Sequence, residues 1–376
     1  MIITRAQDAY IVDEHNHKYI DTSMGSGSQI IGHGNILSQQ IAKQINHGTI
    51  YSIPNHHTKI VSRLLKDYIT PKLSNSYIFC SSGTEANMRA IRLARAYTQK
   101  EKIGRFHGGW HGGIDGFIES QGVPVSTEQN IQILPYNEDI CFSMLTPELA
   151  AVIIEPIQGS NPQSGIGSFL KKLEKECKSK GILLITDEIL TGFRLAKGGG
   201  CELFGLCPDI VTFGKVLGGG FPIGVVGAKE EIIRTPNVFY GGTFSANPLS
   251  MFAAKKILED ITINESENSL INYKKLNYLG EYFRKDLNTF FMDNNHSMRV
   301  YGCGSINRII FSDKPVRNRK ERDSLETKNQ KGFYELLLKE GLFVNTNGII
   351  NLSMCHMKVM DKMIHKIKKI VNEIRI

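Results

Sequence analysis

Five short runs in the middle of this 376-residue chain are apolar almost throughout and show no polar alternation. They are Tyr77–Cys80, Ala151–Ile154, Ile182–Thr186, Ile210–Phe213 and Ile223–Gly227. A strand with one face in water alternates, so runs of this kind are strands covered on both faces. Helical periodicity fills the gaps. Phe169, Leu173 and Cys177 recur every four residues, separated by Lys171, Lys172, Glu174 and Lys175, and this amphipathic stretch leads directly into the run at Ile182. Strand, helix and strand in succession specify an α/β architecture built on a mostly parallel sheet with crossover helices.

The chain ends read differently. Ala9–Asp21 has the pattern of a hairpin, with Tyr10, Ile11 and Val12, a polar turn over Asp13–His17, then Tyr19 and Ile20. Helical patterning dominates from Pro248 to Phe290. Beyond it come the strand-like Ile306–Phe311 and Ile349–Leu352 and the helical Phe333–Glu340 and Val359–Ile374. These pieces predict a small α+β domain formed by both ends of the chain. The length suits one large and one small domain. The expected division is 1–45 for the N-terminal part of the small domain, 46–250 for the large domain, 251–290 for a linking helical region and 291–376 for the C-terminal part of the small domain.

Composition removes several function classes. Hydrophobic residues make up 41% and charged residues 22%, as in an ordinary globular protein. No run approaches the roughly 18 apolar residues of a membrane span. Met1–Tyr10 carries Arg5 and Asp8 without an apolar secretory core, so the expected location is cytoplasmic. Seven cysteines, an odd number with no C-x-x-C pair, predict free thiols and no disulfide framework. The histidines at 15/17, 33, 56/57 and 107/111 lack acidic companions at metal-ligand spacing, so no metal is expected. The net charge is +8 with the lysines dispersed. The nearest basic cluster, Lys314–Arg322 with Arg317, Arg319 and Lys320, reads as a solvated loop and helix start, with no nucleic-acid surface. A positive field of this size can still draw in an anionic substrate.

Three features carry chemistry. Ser81-Ser82-Gly83-Thr84-Glu85-Ala86 follows a strand and opens a helix whose Ala86, Ala90, Ile91 and Ala94 lie along one face. Its unpaired N–H groups and dipole make a phosphate cradle; equally, Ser82 and Glu85 form an ordinary capping box. Thr186-Asp187-Glu188 places a carboxylate at the carboxyl end of a strongly apolar strand, where open α/β sheets bind ligands. Glu188 points to the opposite face and reads as a structural partner. Phe213-Gly214-Lys215 ends another strand in a lysine, ahead of Gly218, Gly219 and Gly220. A lysine so placed is costly to bury unless it is neutral, paired or covalently used. An amine for a Schiff base and a carboxylate for a pyridine nitrogen are what pyridoxal phosphate requires.

With these residues in this order, the chain resembles the class III (ω-type) aminotransferases, and within them the glutamate-1-semialdehyde aminomutase branch. The resemblance rests on Ser82–Ala86 running into Ala90–Arg95, then Trp110-His111-Gly112, Ala150–Pro156 and Asp187–Arg194. It continues through Pro208-Asp209-Ile210, Gly214–Gly220, Gly241–Pro248 and Pro315–Asn318. It implies the fold type I of pyridoxal-phosphate-dependent transferases, with a seven-stranded sheet. It also implies roles: Lys215 as Schiff-base lysine and proton carrier, Asp187 on the ring nitrogen, and Ile189 on one ring face. Trp110 would take the other face, with a core aromatic as the lesser alternative. Ser82, Gly83 and Thr84 would hold the phosphate, and His111 and Glu155 would belong to the cofactor set. Thr243 would reach the phosphate of a neighbouring subunit, implying a homodimer with shared sites. Arg194 reads equally as a structural residue.

Three departures from the branch bear on the substrate. The aminomutases carry a stretch before the equivalent of Ile2–Tyr10 that helps to grip the substrate carboxylate, and this sequence starts after it. Their long mobile loop is represented by Ser120–Asn130 alone, and Thr346-Asn347-Gly348-Ile349 replaces a segment bearing an acidic residue. A mutase must retain its diamino intermediate, and a short lid favours release between half-reactions. The expectation is therefore ping-pong transfer from an amino donor, such as glutamate, to a keto or aldehyde acceptor. That acceptor would lack an α-carboxylate. Glutamate-1-semialdehyde 2,1-aminomutase is the alternative, followed by a decarboxylase or epimerase on the same fold, and then by a non-catalytic binding protein.

Overall fold

The computed structural model describes residues 1–51, 53–70, 72–118, 121–263, 266–267, 269–325, 329–345 and 347–374. It opens with β1 (Ile3–Gln7), β2 (Tyr10–Asp13) and β3 (Lys18–Asp21), an antiparallel meander in which Ile11 faces Tyr19 across the expected hairpin. Asp13 closes its turn by accepting the backbone N–H groups of His15 and His17 at 3.0 and 2.8 Å.

The large sheet is built from β4 (Ser76–Cys80), β5 (Lys102–Phe106), β6 (Ile131–Leu134), β7 (Leu149–Ile154), β8 (Leu183–Glu188), β9 (Ile210–Gly214) and β10 (Gly224–Ala228), in the order β4-β10-β9-β8-β7-β5-β6. The five runs without alternation all lie in it. Every residue of β7, β9 and β10 is buried, as two-sided coverage by helices requires. Pairing is parallel from β9 to β6, while β10 runs antiparallel to both β9 and β4. The residues connecting β9 to β10 are only Lys215–Ile223, too few for the crossover that a parallel pair demands.

The remaining strands, β11 (Arg299–Cys303), β12 (Ile306–Ile310), β13 (Leu342–Phe343) and β14 (Ile349–Asn351), belong to the small α+β part. There β13 pairs in parallel with β3, so the two chain ends share one sheet. The C-terminal helix Met360–Ile374 lays Met363, Ile364, Ile367, Ile370 and Val371 at helical spacing against Phe283, Leu287 and Phe291 of the helix Tyr273–Asp293. That long helix joins two cores, because Leu276 packs with Met251 and Ile257 of the helix Pro248–Thr262, under the large sheet.

Five of the seven cysteines are buried, Cys355 is half-buried and Cys207 is exposed; all are free thiols. Among the described residues no helix is long and apolar enough to cross a membrane, and no cluster of three metal-ligating side chains forms.

Candidate active site

The carboxyl ends of β7, β8 and β9 and the start of the helix Gly83–Thr98 enclose a chamber of about 190 Å³. It is lined by Gly83, Thr84, Asn87, Trp110, His111, Glu155, Asp187, Ile189 and Lys215, together with Gly112 and Leu190. Pairing brings this about: β8 and β9 run side by side in the middle of the sheet with Asp187 opposite Thr212, so Asp187 and Lys215 emerge from neighbouring strands at their carboxyl ends. Nine of the ten residues singled out from the sequence therefore bear on one place. Eight line the chamber, and the ninth, Ser82, caps the helix that forms its floor.

Asp187 is the most firmly held of them. Its Oδ2 accepts from Asn87 Nδ2 at 2.6 Å and from His111 Nδ1 at 2.7 Å, and its Oδ1 accepts the Ile189 N–H at 3.0 Å. Asn87 is itself fixed, donating to the His111 carbonyl at 3.1 Å and accepting from Thr212 Oγ1 at 2.7 Å. The buried carboxylate thus has its orientation set from three elements. The sequence reading missed Asn87. It lies one turn beyond Gly83 and is buried beside the alanine stripe, where an amide needs a partner.

Lys215 has a left-handed backbone, with φ of +40°, in the turn that follows β9. A side chain held at positive φ stores strain, which is tolerated where the geometry serves a site. Burial pushes its amine below the usual lysine range, against the opposing pull of Glu155 and Asp187. Glu155 accepts the Trp110 N–H at 2.9 Å and the Gly159 N–H at 3.5 Å, and burial pushes its carboxyl up to about 7. It positions the loop that carries Trp110 and His111.

The helix start serves two purposes at once. Ser82 Oγ accepts the Glu85 N–H at 3.1 Å, so Ser82 caps the helix as expected, but Glu85 accepts the Ser81 N–H at 2.8 Å and not that of Ser82, so the reciprocal half of the capping box is displaced by one residue. The cap leaves the N–H groups of Gly83 and Thr84, the first two helical residues, outside the intrahelical bonds. A Cβ on Gly83 would come within 2.9 Å of Ile189 Cγ2, so the glycine lets the helix end approach the chamber wall. Trp110 is 65% exposed and lines the chamber, so it is not packed into the core of its own chain.

Thr243 is the residue that the chamber does not include. It is exposed in a turn with Phe244, away from the pocket of its own chain. Glu188 turns to the other face of β8, accepting the Gly200 and Cys201 N–H groups at 2.9 and 2.5 Å. Arg194 is wholly buried and ties the chain ends to the large sheet, donating to the carbonyls of Gly27 at 2.6 Å and Leu352 at 2.8 Å and to Ser305 Oγ at 3.1 Å. Ser120 and Thr346, which open two of the segments that depart from the aminomutases, lie outside the described residues.

The set fits the group that the resemblance implies. An amine and an oriented carboxylate face one chamber, a helix N-terminus with free N–H groups forms its floor, and flat or apolar surfaces (Ile189, Trp110) border it.

A family model described as aminotransferase class-III matches residues 1–374. The glutamate-1-semialdehyde 2,1-aminomutase of Methanosphaera stadtmanae is 34% identical over 368 residues, covering 90% of this chain and 83% of that protein. The enzyme of the same name from Sulfolobus acidocaldarius is 35% identical over 369 residues, covering 91% and 85%. Among solved structures, an omega-transaminase from Sphaerobacter thermophilus matches with a TM-score of 0.91 at 26% identity, covering 100% of this chain and 91% of that one.

Proposed function

Since the chain belongs to the class-III aminotransferase family, with the fold type I of pyridoxal-phosphate-dependent transferases, we propose that it is a pyridoxal-phosphate enzyme of the glutamate-1-semialdehyde 2,1-aminomutase type. It would move an amino group between adjacent carbons of one small amino-aldehyde acid. The observation that carries this choice within the family is the identity of 34–35% to aminomutases along nine-tenths of the chain. The sequence reading put intermolecular transfer first, and these relatives reverse that order.

Pyridoxal phosphate, when bound, supplies an electron sink for the substrate carbon that loses its proton. The residues around it have separable tasks. Lys215 offers a nucleophilic amine whose depressed proton affinity keeps it reactive nearer to neutral pH, and its Nζ can carry a proton from one substrate carbon to the next. Asp187 would hold the ring nitrogen, and Asn87 and His111 keep that carboxylate from turning away. Gly83 and Thr84 N–H groups, with Ser82 at the cap, would take the phosphate. Ile189 and Trp110 would border the ring. Thr243, exposed beside Phe244, suits a contact with a second copy of the chain, and a homodimer and a cytoplasmic location belong to this reading as proposals.

Intermolecular amino transfer remains the second reading, favoured by a wide outer chamber of about 690 Å³ continuing from the inner one. The discriminating experiment gives the cofactor-loaded protein glutamate 1-semialdehyde with no amino donor. Isomerisation at a steady rate supports the mutase. Conversion only when an external donor or keto acceptor is supplied overturns it in favour of the second reading.

A further inference from the structure

The outer chamber shares Trp110, Glu155, Leu190 and Lys215 with the inner one, and its far wall is arginine-rich. Arg308 comes from β12 and Arg319 and Arg322 from the short helix Arg319–Leu325, and among the described residues that side carries one carboxylate, Asp323. From the sequence, Lys314–Arg322 read as solvated. Arg317 and Lys320 are indeed exposed, but Arg319 and Arg322, three apart on one helical face, line the cavity.

The three guanidinia are held differently. Arg322 is buried, donating to Asp323 Oδ1 from Nε at 2.9 Å and to the Ser160 carbonyl. Arg308 is buried and donates to the Asn347 carbonyl. Arg319 gives only its Nε to Asp323 Oδ2, at 3.2 Å, and its Nη groups have no acceptor among the described residues. Its stem is wedged against the loop before Trp110: Gly108 has φ of +80°, and a Cβ there would lie 2.7 Å from Arg319 Cβ. A half-exposed guanidinium with free donors, backed by two more arginines, matches the geometry and charge of a carboxylate or phosphate. On the same cavity wall, the buried Asn351 Oδ1 also lacks a donor among the described residues.

We propose that this wall is an anion-recognition subsite in which Arg319, backed by Arg322 and Arg308, takes a carboxylate or phosphate group of the substrate, distal to the carbon that carries the amino group. The proposal rests on the reading of the inner chamber as the amino-transfer centre. A distal anionic group is compatible with the expected acceptor that lacks an α-carboxylate. The proposal assigns the grip on that group to β12 and the helix after it.

The test is equilibrium binding by calorimetry to the cofactor-loaded protein, which needs no turnover. Glutarate, its neutral analogue glutaramide and inorganic phosphate are titrated into the wild type, Arg319→Gln and Arg319→Lys. Expected is binding of glutarate or phosphate to the wild type, weakened about tenfold or more by Arg319→Gln. Arg319→Lys should restore part of the loss, and glutaramide should bind weakly to all three. Tighter glutarate than phosphate assigns a carboxylate substrate, and the reverse assigns a phosphate ester. An unchanged unfolding midpoint and cofactor absorption in the variants guard against misfolding. Equal affinity of wild type and Arg319→Gln for both anions, no anion binding at all, or glutaramide binding as tightly as glutarate would overturn the proposal. If Arg319-dependent binding is found but glutamate 1-semialdehyde is not isomerised, the subsite stands and the mutase reading falls.

Discussion

The inner and outer chambers are built in opposite ways although they share a wall. In the inner one, Asp187 and Lys215 sit at the ends of adjacent strands of a buried sheet, and the carboxylate accepts three hydrogen bonds, two of them from elements far away in sequence. In the outer one, the charged groups come from β12 and a seven-residue helix in the small domain, and Arg319 keeps free donors. A sheet end can fix atoms to within tenths of an ångström, because moving one strand moves its neighbours. A half-exposed side chain such as Arg319 can be exchanged at little structural cost, whereas Arg322 and Arg308 are buried. On the proposed reading, the reaction type would be set by the large sheet and the substrate by β12 and the helix after it.

The largest expected effect breaks or keeps the first half of that contrast. Lys215→Ala should lower turnover roughly ten-thousandfold with every substrate, because nucleophile and proton carrier disappear together. Single-turnover rates with two unrelated amino substrates check it, and a loss confined to one of them would break the division of labour. Asp187→Asn should cost roughly 100- to 1,000-fold in kcat, since an amide cannot take up charge at the ring nitrogen and its NH2 would face the donors of Asn87 and His111. A change in KM with kcat kept would contradict this.

Glu155 stands on the boundary and offers a pH test. An unfolded glutamate loses its proton near 4.5, whereas burial holds the folded carboxyl's proton to about 7. Between these values the folded state carries a proton that the unfolded state has lost, so stability falls as pH rises through the window, by about 3 kcal/mol in all. Glu155→Gln should remove that slope while still accepting the Trp110 N–H. Urea unfolding of both cofactor-free proteins at pH 5 and pH 8 checks it. A wild-type-minus-variant difference that does not change with pH would mean that the chamber solvates this carboxylate.

How much of this was legible follows the same division. The five strands buried on both faces could be read because nothing else makes four or five consecutive apolar residues before a helix. Two strands of the large sheet, Lys102–Phe106 and Ile131–Leu134, escaped. The first contains Lys102 and the buried Arg105 among five residues, and the second is a sheet edge with Gln132 in its middle. Two-sided burial looks the same in both directions, so the antiparallel direction of β10 is legible only in the short connection Lys215–Ile223, too short for a parallel crossover. Asp187, Lys215 and the helix start could be named because each has a local signature. Asn87, Arg308 and Arg322 have none, and their significance comes only when β8, β12 and two helices converge.

The smallest effect sharpens the contrast most, because Trp110 touches both chambers. The ring is 65% exposed, so removing it deletes little buried area. Trp110→Ala should therefore change folding stability of the cofactor-free protein by less than about 0.5 kcal/mol. If the ring instead borders the cofactor, its loss should weaken cofactor retention by roughly 1 kcal/mol, about fivefold in the dissociation constant. Trp110→Phe should recover most of that loss, because a flat face is retained. The two quantities are read separately, by urea unfolding without cofactor and by cofactor titration followed by absorbance. A drop in stability of several kcal/mol with cofactor affinity intact would make the tryptophan a packing residue after all. The backbone N–H of residue 110, held by Glu155 at 2.9 Å, would then be what the site needs from that position.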